Sequence, residues 1–194
     1  LSAFYYDYRD KQISTYFADP IYTALARLQN VPESSAAGID ADVTWRATDD
    51  LTLTGSATYL DTKVIDYHGI GPNGLPHVYD GVPFPYAAKW QLSGTAIYSR
   101  PITSALGLQA ALNGRWQSRT AADLGDSPSF VIDSYGVVNA SVGIHANDDR
   151  WALQLWGRNI TDTYYWTSVA SNANVVVRFP GQAPTYGLSL TLNY

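Results

Sequence analysis

The chain has 194 residues, enough for one domain with a sizeable core. Charged residues make up only 15% of it and the formal net charge is −5, with no run of Lys and Arg to track a phosphate backbone, so nucleic acid is excluded as a partner. The absence of cysteine removes disulfide frameworks, thiolate metal sites and thiol catalysis together.

Fifteen Tyr and six Trp stand against five Phe, an excess of the amphipathic aromatics that favour interfaces. No apolar run approaches the 18 or so residues of a spanning helix. A membrane crossing by this chain would therefore use a β-barrel. The N-terminus has neither the charged nor the apolar stretch of a secretory signal, and opens directly into strand-like sequence, as a mature segment or a fragment would.

The first strand is expected from about Ser2 to Phe17, with aromatics on both faces and its sides unassigned. Asp19-Pro20 breaks it. A second extended segment runs into GIDADVTWRAT, where Ile39, Ala41, Val43 and Trp45 alternate with Asp40, Asp42, Thr44 and Arg46. Thr48-Asp49-Asp50 forms a short turn, and Leu51, Leu53, Gly55, Ala57 and Tyr59 then oppose Thr52, Thr54, Ser56 and Thr58. Residues 66 to 85, rich in Gly and Pro, read as a long loop.

Trp90, Leu92, Gly94, Ala96 and Tyr98 mark the apolar face of a fourth strand. After a turn through 100 to 106, Leu108, Ala110, Leu112 and Trp116 oppose Gln109, Asn113, Arg115 and Gln117. A polar loop spans 120 to 133. Val138, Ala140, Val142 and Ile144 mark a sixth strand, the turn at 147 to 150 closes a hairpin, and Trp151, Leu153 and Leu155 face away from Gln154 and Arg158. Trp156 falls on the polar side and breaks the alternation. A third loop spans 165 to 180. In the final strand Tyr186, Leu188, Leu190, Leu192 and Tyr194 alternate without exception with small polar residues, a pattern with period 2 that no helix shares.

The expected fold is all-β and antiparallel, with about eight strands. Its short turns and its long loops are sorted to opposite ends, as in outer-membrane barrels and unlike a soluble sandwich. Two other architectures share the alternation. A complete eight-stranded barrel, serving as anchor or adhesin, requires the first and last strands to pair; a soluble sandwich requires the apolar faces to pack together.

GRNITDTYY (157 to 165) resembles the penultimate-strand pattern of TonB-dependent outer-membrane receptors, and FPGQAPTYGLSLTLNY (179 to 194) resembles their closing strand. GIDADVTW, DLTLTGSATYLDT, PYAAKWQLSGTAIY and SYGVVNASVGI follow in the family's usual order, so the resemblance covers nearly the whole chain. It departs in having Ala183-Pro184 where the family often has Pro-Arg, and Tyr194 where it usually ends in Phe. The resemblance implies that residues 1–194 are roughly the last third of a barrel of about 22 strands, without its plug domain. It further implies uptake of a scarce ligand (a ferric siderophore, cobalamin or an oligosaccharide) across the outer membrane of a Gram-negative bacterium. The partners so implied are outer-membrane lipid, the receptor's own plug, the TonB complex and a small-molecule ligand.

The candidate residues follow from this reading. Tyr67, His68, His77, Tyr79, Tyr164, Tyr165 and Trp166 lie in or beside long loops and are candidates for ligand contact. Asp40, Asp42, Arg46, Arg115 and Arg158 lie on the polar face and would line a hydrated lumen. Trp45, Trp90, Tyr98, Trp116, Trp151 and Tyr194 stand near strand ends, as membrane-girdle aromatics do. Asp66, His68, His77 and Asp80 share one loop, but such spacing is not metal-specific; a solvated polar loop is the reading, and neither metal nor cofactor is expected. The three histidines have no spaced partner that makes a catalytic triad, so the chain is not expected to be an enzyme.

Overall fold

A computed structural model describes residues 1–125, 127–172 and 175–193. In chain order the strands are β1 (Ser2–Asp19), β2 (Thr23–Arg46), β3 (Leu51–Asp66), β4 (His68–Ile70), β5 (Pro76–Val78), β6 (Trp90–Pro101), β7 (Leu106–Gln117) and β8 (Thr120–Ala121). A single 3₁₀ turn, Pro128–Phe130, follows, then β9 (Val131–Ile132), β10 (Tyr135–Ala146), β11 (Trp151–Arg158), β12 (Trp166–Asn172), β13 (Val175–Pro180) and β14 (Thr185–Leu192).

Eight long strands form one antiparallel sheet in the order β14-β11-β10-β7-β6-β3-β2-β1, with the β4–β5 hairpin appended beyond β1. Each long strand pairs with its neighbour in sequence, the up-and-down connectivity of an outer-membrane barrel. β1 and β14 stand at opposite ends of this row and do not pair, so the sheet is an open barrel wall. That geometry disagrees with a closed eight-stranded barrel. A single sheet whose apolar face has no second sheet against it disagrees equally with a sandwich.

The register confirms the alternation read from the sequence. Ile39, Tyr59 and Trp90 stand abreast across β2, β3 and β6, and Leu155 stands abreast of Leu188 across β11 and β14. Residues directly opposite share a face, so one face carries Val43, Leu53, Ala96, Leu112, Val142, Leu153 and Leu190. The other carries Asp40, Thr58, Gln91, Asn113, Asn139, Gln154 and Ser189. Trp156 does lie on the polar face. It stands opposite Gly187, where a Cβ would fall within the indole, and its Nε1–H donates to Ser189 at 3.0 Å.

The first strand's sides are now assigned. Phe4, Tyr6 and Tyr8 occupy the polar face beside Gly38, Ala36 and Ser34, and Tyr5 the apolar face. Asp10, with φ of 54°, sits opposite Pro32, which has no N–H for the ladder; past this point burial passes to Ile13 and Thr15. β6, β7 and β10 have 12 residues each and β11 and β14 have 8, close to the roughly 10 of a membrane-crossing strand. β1, β2 and β3, with 18, 24 and 16 residues, run far beyond it at the loop end.

At the opposite end the turns are held by local side-chain bonds. Thr48 Oγ1 accepts the N–H groups of Asp50 and Leu51, and Thr103 Oγ1 those of Ala105 and Leu106. Asn147 Nδ2 donates to the carbonyls of Thr103 and Ser104, tying adjacent turns together.

The long loops are more structured than their Gly- and Pro-rich sequences suggest. Residues 66 to 85 contain the β4–β5 hairpin, 120 to 133 the β8–β9 pair and the 3₁₀ turn, and 165 to 180 the β12–β13 hairpin. The interior also lies here. Ile13, Val31, Val64, Tyr67, Tyr79 and Leu124 form one buried cluster, with Val82 and Phe84 against it; Phe130, Ile132 and Val169 form a second. A barrel wall needs no core between its strands, so the described residues bury their apolar side chains under the loops.

Candidate ligand and membrane faces

Two rows of aromatic side chains bound the apolar face. Near the loop end stand Trp90 and Trp116, joined by Tyr59 and Tyr186; near the turn end stand Trp45, Tyr98 and Trp151. Tyr59 and Trp90 pack with ring centroids 4.8 Å apart. Between the rows, Val43, Leu112, Leu155, Leu188 and Leu190 are at least half exposed, 50 to 68%. An apolar surface of that extent is not left facing water by a soluble monomer. Tyr194 lies outside the described residues.

The five charged residues expected to line a lumen all stand on the polar face, but on three separate strands. Asp40 accepts from Thr58 Oγ1 at 2.7 Å, and Asp42 stands opposite Ser56. Arg46 turns to Asp49 at the short turn, its guanidinium donating to the Asp49 carbonyl at 3.2 Å. Arg115 reaches up to the Tyr165 hydroxyl, to which it donates at 3.3 Å, and Arg158 lies over the Trp156 ring at 5.4 Å. Both acids thus stand on β2, with Arg46 at its turn end, while the other two bases stand on β7 and β11.

The seven loop-side candidates divide by burial. Tyr67 and Tyr79 are interior: their rings stack at 5.4 Å, the Tyr67 hydroxyl donates to Gln29 Oε1 at 2.7 Å, and the Tyr79 hydroxyl donates to the Ile70 carbonyl at 2.8 Å. Burial, with Tyr67 and Asp123 nearby, pushes the Tyr79 hydroxyl up to about 12. Tyr16 is raised too, by burial first and then by the nearby Asp123 carboxylate. These rings hold the loop-end interior together and show no free face. His77 packs edge-on against Tyr79, and His68 stays exposed beside Asp80.

Tyr165 is buried as well, stacked on Tyr135 with centroids 4.2 Å apart and wedged beside Gly181. Tyr164 is 74% exposed and meets Trp166 edge-on, while Arg178 lies over the Trp166 ring. Sequence reasoning missed Tyr135 and Tyr86. The Tyr86 hydroxyl donates to the Val169 carbonyl at 2.9 Å, fastening the β12–β13 hairpin to the segment before β6.

Of the four residues sharing a loop, the structure brings Asp66, His68 and Asp80 within 4.8 Å of one another and leaves His77 out. All three are exposed, and Asp80 already accepts the Tyr67 N–H at 3.1 Å.

An open, up-and-down antiparallel wall with an apolar belt between aromatic rows, a polar opposite face and all long connections at one end is the wall of a transmembrane β-barrel. The sequence profile described as TonB dependent receptor-like, beta-barrel matches residues 1–160. The chain belongs to that family, one of receptors and transporters and not of enzymes. Comparison with curated protein sequences gives no match.

Among solved structures, the ferric yersiniabactin uptake receptor FyuA from Yersinia pestis superposes with a TM-score of 0.77 at 16% identity, over 99% of this chain and 27% of that one. The ferric preacinetobactin receptor BauA from Acinetobacter baumannii gives 0.66 at 17%, over 97% and 26%. The ferric-catecholate import receptor Fiu from E. coli K12 gives 0.65 at 17%, over 97% and 24%. The chain thus spans about a quarter of each, and at these identities the likeness concerns the fold.

Proposed function

We propose that this chain is the closing part of the barrel of an outer-membrane receptor that takes up a ferric siderophore. In this reading the apolar face meets lipid and the polar face lines the conduit. A plug domain carried elsewhere in the protein couples passage to an inner-membrane TonB complex. The observation that carries the reading is the open eight-stranded wall itself, whose outermost long strands β1 and β14 do not pair with each other and whose fold follows siderophore receptors over nearly its whole length.

Within that reading the described residues take distinct parts. Arg115, with the stacked pair Tyr135 and Tyr165, stands where the polar wall meets the loops and offers a cation beside aromatic faces to an anionic chelate. Tyr164, Trp166 and His68 are the exposed loop-side contacts. Tyr67, Tyr79 and His77 serve indirectly, by holding the loop-end interior in shape. No step of bond chemistry is involved: binding and gated passage are the whole of the mechanism.

The test is uptake by the intact natural protein carrying these residues, produced in an outer-membrane host lacking its own siderophore receptors. Radio-iron delivered as ferric siderophores should enter in an energy-dependent way and stop when the TonB complex is deleted. Uptake of cobalamin or an oligosaccharide in place of every ferric siderophore offered would overturn the ligand assignment. Accumulation that ignores TonB would overturn the mechanism.

A further inference from the structure

The chain contains only three lysines, and two of them meet at one spot on the apolar side. Lys63 Nζ lies 3.1 Å from one carboxylate oxygen of Asp61, and Lys89 Nζ lies 3.4 Å from the other. Asp61 and Lys63 are two apart on β3 and so share its outward face with Tyr59; Lys89 immediately precedes Trp90 and leans over the Tyr59 ring at 5.7 Å. Two cations flank one anion directly above the Tyr59–Trp90 ring pair.

The depth of this cluster matters. Asp61 is two residues beyond Tyr59, about 7 Å along the strand and about 5 Å along the membrane normal at a tilt near 40°. If aromatic rings mark the edge of the hydrocarbon, the two ammonium groups sit at headgroup level, on the loop side. Both lysine side chains are 56% exposed, and each ammonium has three donors, of which Asp61 takes one. The group carries a net charge of +1. Among the described residues the turn-end ion pairs, Arg46 with Asp49 at 4.0 Å, Arg100 with Asp50 at 3.8 Å and Arg150 with Asp148 at 3.2 Å, each join one cation to one anion and are neutral.

We propose that Lys63 and Lys89, held in place by Asp61, bind a phosphate monoester on the headgroup of a membrane glycolipid in the leaflet on the loop side. A monoester carries about −1.5 to −2 and three acceptor oxygens, enough to engage the free donors of both lysines at once. A lipid source fits better than free phosphate because the cations stand on the membrane-facing side, above rings that meet acyl chains, and not in the polar conduit. Trp90 and Tyr59 supply the floor on which the sugar–acyl boundary rests. The inference rests on the apolar face being the lipid face.

The experiment uses the intact natural protein carrying these residues, purified in neutral detergent and also reconstituted into phosphatidylcholine vesicles. It is titrated with bisphosphorylated lipid A, with the same lipid stripped of phosphate, and with inorganic phosphate; retained lipid is read by native mass spectrometry. The expected result is binding of the phosphorylated lipid at least tenfold tighter than the stripped one, with inorganic phosphate failing to compete at equal concentration. Lys63→Gln and Lys89→Gln should each weaken it about fivefold, the scale of one basic residue at an anionic surface, and the double variant about twentyfold. Lys89→Arg should restore binding, and Arg100→Gln should leave it unchanged.

Equal binding of the two lipids, or a double variant that binds like the natural protein, would overturn the inference. Full competition by inorganic phosphate would overturn the lipid assignment. Failure of the natural protein to insert into neutral phosphatidylcholine vesicles would instead strike the membrane reading beneath it.

Discussion

Asn159 is where removal of one small side chain should do most harm. It follows β11 at the base of the third loop, is 1% exposed, and adopts φ of 48°. Its Nδ2 donates to the carbonyls of Thr163 at 3.0 Å and Gln182 at 2.9 Å, and its Oδ1 accepts the Thr163 N–H at 3.0 Å. It thus closes the turn after β11 and anchors the approach to β14. Asn159→Ala loses three buried bonds, worth about 1 kcal/mol each, and places a Cβ with no compensating bond in a left-handed conformation at about 1 kcal/mol more. The expected loss is about 4 kcal/mol. Asn159→Gly should recover about 1 kcal/mol by removing the conformational cost alone. Asn159→Asp keeps the acceptor, loses both donors and should fall close to alanine. Reversible urea unfolding of the vesicle-bound protein measures the series, and hydrogen exchange at the Thr163 amide locates the damage. An alanine variant within about 1 kcal/mol of the natural protein, or glycine worse than alanine, would refute the reasoning.

Gly187→Ala should cost about 1–3 kcal/mol, because the new methyl would occupy the place of the Trp156 indole, and Trp156 emission should shift as the ring moves. Gly114→Ala is the paired control: nothing lies within 4 Å of its Cβ position, and stability should hold or rise slightly in the same unfolding assay. The loop-end interior should also respond to high pH. Tyr79 holds its proton more tightly when folded, at about 12 against 10.0 for the free side chain, so its contribution is whole below pH 10 and is lost as pH rises from 10 through about 12. Exchange protection of the Tyr79 amide, which donates to the Tyr67 carbonyl, should fall across that window, and Tyr79→Phe should flatten the fall.

The wall was legible because a strand's period of 2 writes its two faces directly into the sequence. Leu188 and Ser189 declare opposite sides without any partner being known, and the pairing of β11 with β14 then follows from matching faces. Even the exception was visible: Trp156 breaks the alternation, and its explanation, Gly187 opposite, lies 31 residues further on. What the sequence concealed depends on distant partners. Tyr67 and Tyr79 sit among Gly, Pro and His and look exposed, but Gln29, Val31 and Leu124, from segments 36 to 57 residues away, bury them. The run from Val175 to Phe179 lies between polar residues and Pro180-Gly181; only pairing with β12 makes it a strand. The change along β1 from the exposed Tyr5 and Tyr6 to the buried Ile13, Thr15 and Tyr16 depends on what covers its far end, which the segment does not show alone. The Lys63–Asp61–Lys89 cluster likewise joins two segments about 26 residues apart.

The absence of cysteine from these 194 residues opens the most direct test of the central claim, that the apolar face of this wall meets lipid and the polar face meets water. Single cysteines replace Leu155, Leu188 and Leu190 on one face and Gln154 and Thr191 on the other, each labelled with a polarity-sensitive fluorophore in the vesicle-reconstituted intact protein. The account predicts blue-shifted emission, quenched by brominated acyl chains, at the three leucine positions. It predicts red emission, quenched by aqueous iodide, at the two polar ones. Uniform emission across all five sites, or quenching with the faces exchanged, would contradict it.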